Sequence, residues 1–196
     1  MRNLILPLFA ILVFSCSTEK APTREDLVKS SIENYIKPKL NDPETYEFAS
    51  LTLLDSTTYL DNINYRIDYF TGQVDRAKNE IDRYMGYKED LPSMFDQIEV
   101  DRYQADVDKN TMILSEINTI QEGLGDQVNN VAAYTYSYGF RSKNSFGALV
   151  LQEYLMQIGP GPEYEVLQVA EDRDGLYLDP NGFPGYDDMI SKYIGK

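Results

Sequence analysis

Apolar positions recur along this chain at a period that switches from 3.6 to 2, then to 3.5, and back to 2. Those switches divide it into elements. Leu27, Val28, Ser31, Ile32, Tyr35 and Ile36 fall on one helical stripe, and Thr23 stands three residues before Asp26, the spacing of a capping box. This predicts a helix over 24–37, ended by Pro38 and followed by an Asn41-Asp42-Pro43 turn. Residues 45–54 (TYEFASLTLL) are rich in β-branched and aromatic side chains and read as a strand.

A heptad follows. Leu60, Ile67, Val74 and Ile81 hold one position; Ile63, Phe70, Ala77 and Tyr84 hold the position three later. Thr58 and Asp61 repeat the capping spacing at its start, and Gly86 is the expected stop. Ser93 and Asp96 give a third capping spacing. Val100, Val107 and Leu114 then pair with Tyr103, Ile117 and Leu124 in a second register, which Asn110 interrupts and Gly123 and Gly125 end. The pattern predicts an antiparallel helical hairpin over 58–123, each helix about 40 Å long at 1.5 Å per residue. The seam is satisfied within the hairpin, so it does not require a second copy and leaves the oligomeric state open.

From Asn129 the period is two. Ala132, Tyr134, Tyr136, Tyr138 and Phe140 share a face, Ser142 to Ser145 turns the chain, and two further strands follow around Gly159-Pro160-Gly161-Pro162. The result is a three-stranded antiparallel meander within 130–171. Asp172-Arg173-Asp174-Gly175 reads as a tight turn, and a short helix falls within 185–194. Assembled, these elements predict an α+β fold: an N-terminal helix packed on a four-stranded antiparallel sheet, with the helical hairpin inserted as a projecting arm. This order resembles a cystatin-like roll, with residues 24–196 as one domain.

Composition removes several chemistries. The 196 residues include 18 Lys+Arg against 32 Asp+Glu, a net charge of −14, with no His, no Trp and one Cys. Without imidazole there is no Ser-His-Asp or Cys-His nucleophile system, and no zinc, copper or haem site built on imidazole. A single cysteine forms no disulfide within the chain. The acidic excess argues against nucleic acid as a partner. Residues 55–126 alone carry 16 acids and 7 bases, which reads more simply as a solvated face over the seam than as an acidic binding surface.

At the N-terminus Arg2 precedes an apolar run from Leu4 to Phe14, too short to span a bilayer permanently, and then come Ser15 and Cys16. Val13-Phe14-Ser15-Cys16 resembles the lipobox of bacterial lipoproteins, although Phe14 is bulkier than the commonest residue there. The resemblance implies a signal peptide over 1–15, acylation of Cys16, a polar tether over 16–23, and attachment to the membrane through the lipid. Ser17 after the cysteine, rather than Asp, favours the outer membrane by the same analogy. Two further segments, Lys39-Leu40-Asn41-Asp42-Pro43-Glu44-Thr45-Tyr46-Glu47-Phe48 and Arg141-Ser142-Lys143-Asn144-Ser145-Phe146-Gly147, resemble signatures of small secreted or lipid-anchored Bacteroidota proteins. That resemblance implies a fold and a compartment rather than an activity.

Two groups of residues are candidates for binding. Arg141, Lys143 and Asn144 place a guanidinium, an ammonium and an amide at one strand end, suited to a carboxylate or phosphate. The alternative is structural: Asn144 suits a turn, and Arg141 has Asp42 and Glu47 as prospective partners. Tyr134, Tyr136 and Tyr138 form a row suited to stacking sugars or peptides, or to the core of a sheet; the core is the stronger reading. Asp172, Asp174, Asp179 and Asn181 lack the glycine position and closing glutamate of an EF-hand, so no metal site is assigned. Gly159 to Pro162 lacks the lysine and helix of a phosphate loop. No cofactor is implied. These readings converge on a lipid-anchored cell-envelope protein that binds or scaffolds an envelope protein or a glycan and is not an enzyme. The alternatives are a glycan hydrolase working through two carboxylates and a purely structural envelope protein.

Overall fold

The computed structural model describes residues 21–176 and 182–193. Helix α1, Arg24–Ile36, begins on the expected capping box: the Thr23 hydroxyl accepts from the Asp26 N–H, and the Asp26 carboxylate accepts from the Thr23 N–H. Its buried stripe is narrower than the sequence suggests. Val28, Ile32 and Ile36 are buried, whereas Leu27 and Tyr35 at the margins are each more than a third exposed.

Four strands form one antiparallel sheet in the order β1-β2-β3-β4: Glu47–Thr58, Val131–Lys143, Leu149–Ile158 and Val166–Ala170. The α+β architecture is therefore the one the periods predict. The helix packs its buried stripe on Tyr136, Tyr138, Phe140, Met156 and Ile158, which form the first core. Strand β1 is longer than expected and shifts register between Phe48 and Ser50 and between Leu53 and Asp55. Opposite the first shift sits Gly139, where a Cβ would fall 2.5 Å from the Ser50 hydroxyl. A side chain at 139 would force the Ser50 hydroxyl to turn away.

With no intervening loop, β1 passes into α2, Tyr59–Asp90, through a second capping box between Thr58 and Asp61. Helix α3, Gln97–Leu124, returns antiparallel to it, giving the expected arm. At 1.5 Å per residue, the 32 residues of α2 extend about 48 Å.

Three details of the arm correct the sequence reading. Gly86 does not stop α2, which continues to Asp90; Leu91 ends it, at φ −141° and ψ 69°, because the ring of Pro92 disfavours helical backbone before it. Gly123 lies inside α3, and the left-handed residue that ends that helix is Gly125, at φ 51°. Asp96, not Ser93, caps α3, its carboxylate accepting from the N–H groups of Ile98 and Glu99, while Ser93 sits in the 3-10 turn Pro92–Met94.

The arm has a core of its own. Ile63, Phe70, Ile113 and Ile117 pack with Phe183, Tyr186 and Met189, which come from the C-terminal segment around α4, Tyr186–Ser191. This contact shifts the buried stripe of α3: Ile113 is fully buried, while Leu114, expected in the seam, is half-buried. The Asn62 side-chain amide donates to the Gly182 carbonyl at 3.0 Å and fastens the segment to the base of α2. Asp172 closes its expected turn by accepting from the Gly175 N–H at 3.0 Å. Cys16, Asp179 and Asn181 lie outside the described residues.

Candidate functional site

The structure separates the residues that the sequence singled out. Tyr136 and Tyr138 are fully buried against α1, and Tyr134 is half-buried under the Arg24 guanidinium, 4.9 Å from its ring centroid. The row is core, not a stacking platform. The hydroxyl of Tyr138 meets that of Tyr46, and the Tyr46 hydroxyl reaches the Glu33 carboxylate at 3.3 Å. Burial pushes the Tyr138 phenol up to about 12, and burial together with the Tyr138 hydroxyl pushes Tyr46 up as well. Both rings stay neutral and fix α1 to the sheet.

At the β2–β3 turn, Asn144 is committed to backbone. Its side-chain oxygen accepts from the Phe146 and Ala148 N–H groups, each at 3.0 Å, and Gly147 takes the left-handed φ of 78° that the turn needs. Arg141 and Lys143 are exposed. Arg141 stands opposite Glu47 on β1 and Leu151 on β3, yet no ion pair joins it to Glu47 or Asp42. Phe146, at the tip, is 93 % exposed. With Asn144 spent on its own turn, the three side chains do not form one recognition group.

A stronger site lies elsewhere, on the arm. A groove of about 460 Å³ runs beside the α2–α3 seam, within the roughly 300–1,000 Å³ typical of small-ligand sites. Helix α2 supplies Arg66, Tyr69, Gln73 and Arg76; α3 supplies Lys109 and Asn110. The spacing explains the convergence, since 66, 69, 73 and 76 follow one another by three or four residues and line one flank of the helix.

The electrostatics of this flank differ from the rest of the arm. Arg83 pairs with Glu80 and Arg102 with Glu99, each three residues away on the same helix. Arg66, Arg76 and Lys109 make no ion pair among the described residues. Arg66 is held instead by its plane: its guanidinium carbon lies 4.6 Å from the ring centroid of buried Tyr186, and its Nε is buried without a hydrogen-bond partner. Arg76 spends only its Nε, on the Gly72 carbonyl at 3.2 Å. Three cations thus face one concavity of an acidic chain with their terminal nitrogens uncommitted to carboxylates. Tyr69, 46 % exposed, and Tyr103 add aromatic surface beside them.

Sequence reasoning missed this group because a heptad reading weighs the seam positions and treats their flanks as solvated. Charge placement marks only Arg66, which has no acid three or four residues away. Arg76 has Glu80 four residues on and Lys109 has Asp106 three residues before, and only the structure shows that Glu80 goes to Arg83 and that Asp106 makes no ion pair. Among the described residues, no group of three acidic or cysteine side chains is placed to hold a metal ion, and no helix is long and apolar enough to cross a membrane. The chain matches no protein-family model, no curated protein and no solved structure.

Proposed function

We propose that this is a lipid-anchored protein of the cell envelope, attached through Cys16 to the outer membrane, that acts by binding and uses the helical arm as its contact element. The anchor rests on the apolar run before Cys16 and its lipobox-like ending. The likeness of the 39–48 and 141–147 segments to secreted or lipid-anchored Bacteroidota proteins agrees with it.

What carries the binding half is the groove of Arg66, Arg76 and Lys109. Unpaired cations are solvated at little cost when scattered, but three converging beside aromatic rings form a preorganised receptor for an anionic group. The same groove weighs against the hydrolase alternative. Of its two carboxylates, Glu80 is engaged by Arg83, which leaves Asp106 without the second free acid that glycoside cleavage employs.

Two experiments test the two halves. Metabolic palmitate labelling should mark the wild type and not Cys16→Ala; equal labelling of both removes the anchor. Purified protein immobilised on beads should retain envelope material that an Arg76→Gln/Lys109→Gln variant does not. Equal retention by the two removes the arm as the contact element.

A further inference from the structure

The composition of the arm groove narrows what it takes, on the reading that the arm binds at all. We infer that its ligand is an acidic glycan, a chain of sugars bearing carboxylates, rather than an acidic peptide or a free inorganic anion.

The groove mixes charge, amides and aromatic surface. Arg66, Arg76 and Lys109 supply charge for a carboxylate, with Arg66 held in place by the Tyr186 ring. Such a planar, pre-positioned fork loses little entropy when it takes a carboxylate in bidentate fashion. Gln73 and Asn110 line the same groove, and the Asn110 amide nitrogen already donates to the Asp106 carbonyl at 2.8 Å, which leaves its side-chain oxygen as an acceptor. The Asp106 carboxylate makes no ion pair and lines the groove as well.

That carboxylate discriminates between ligand classes. Against sulfate it presents a like charge with no donor to meet it, and against a run of glutamates a like charge on every residue, with donors only on the peptide backbone rather than on the charged side chains. A sugar acid brings both halves of the match: a carboxylate for the cations, and hydroxyl donors for Asp106, Gln73 and Asn110. The ring of Tyr69, almost half exposed at the edge of the groove, offers a face for the apolar side of a pyranose.

Isothermal titration of the purified full chain tests this with four probes: a tetragalacturonate, a neutral maltotetraose, a hexaglutamate peptide and sodium sulfate. The tetragalacturonate should bind, the other three should bind at least about tenfold more weakly, and Lys109→Gln should weaken it by about tenfold, the loss of one charge-assisted hydrogen bond. Tyr69→Ala, on an exposed position that leaves the fold intact, should weaken it several-fold with no change in the circular dichroism spectrum. Binding of hexaglutamate or sulfate as tightly as tetragalacturonate overturns the assignment, and so does absence of tetragalacturonate binding. Loss of the glycan assignment leaves the binding reading standing wherever the arm still captures a protein in cells; the two fail separately.

Discussion

Arg66 on the arm and Tyr186 on the C-terminal helix stack face to cation, 4.6 Å from guanidinium carbon to ring centroid, across 120 residues of sequence. The contact joins the groove to the second core. Tyr186 is 8 % exposed and packs with Phe183 and the arm residues Ile63, Phe70, Ile113 and Ile117, so the C-terminal segment is part of what holds the arm's base together. Tyr186→Ala should therefore destabilise the protein by about 3 kcal/mol, as truncation of a buried aromatic does, while Tyr186→Phe, which keeps the ring and its packing, should cost clearly less than Tyr186→Ala. Urea unfolding of the three proteins measures both.

At the β2–β3 turn, the structure assigns different roles to neighbouring residues. Asn144→Ala leaves the Phe146 and Ala148 N–H groups without their acceptor and should cost about 1–2 kcal/mol. Arg141→Ala and Lys143→Ala remove exposed side chains with no ion pair and should each stay within about 0.5 kcal/mol of wild type. Equal losses at all three positions contradict this division.

The Tyr46–Tyr138 pair makes the fold sensitive to alkali. Both phenols are held above their ordinary value in the folded state, Tyr138 at about 12. In the unfolded chain they titrate near 10. Below that value both states hold the proton and the contribution is complete; above it the unfolded state loses the proton first, so stability falls as pH rises, by up to about 1.4 kcal/mol per pH unit for each group. Chemical denaturation at pH 8, 10 and 11.5 should show the fall in wild type and a shallower one in Tyr138→Phe.

The junction between sheet and arm depends on one cap. The Thr58 hydroxyl and backbone N–H both donate to Asp61, holding its carboxyl below its ordinary value, and the Asp61 N–H donates to the Thr58 hydroxyl. Thr58→Ala should cost about 1 kcal/mol. Because the folded carboxyl titrates lower than the unfolded one, the contribution is present at neutral pH and lost as pH falls through its folded value, so wild type and Thr58→Ala should converge in acid.

Much of this fold was legible because each element announces itself locally. The capping boxes at Thr23 and Thr58, the heptads of α2 and the alternation of β2 all follow from spacing alone, and the structure contains each. What escaped were matters of tertiary context. The stop at Leu91 belongs to the proline after it, and Gly86, free to adopt helical backbone, gave a false end. The burial of Ile113 over Leu114 depends on α4, which lies far downstream and covers one side of the seam. The site was the least legible part. Tyr134, Tyr136 and Tyr138 carry the chemistry of a binding surface and the periodicity of a core, and only burial decides between them. Arg66, Arg76 and Lys109 look ordinary in sequence, since nothing local reveals that their neighbours' acids point elsewhere.

The central claim, that the arm groove is the contact element of an envelope-anchored binding protein, is tested most directly by photo-crosslinking in intact cells. A photoreactive aromatic residue is placed at Tyr103, which lines the groove, or at Asp75, which is on the arm, exposed, and outside the groove. The account predicts a discrete adduct from Tyr103, little or none from Asp75, and loss of the Tyr103 adduct when Lys109→Gln and Arg76→Gln are combined. Equal capture from both positions, or none from either, would contradict it.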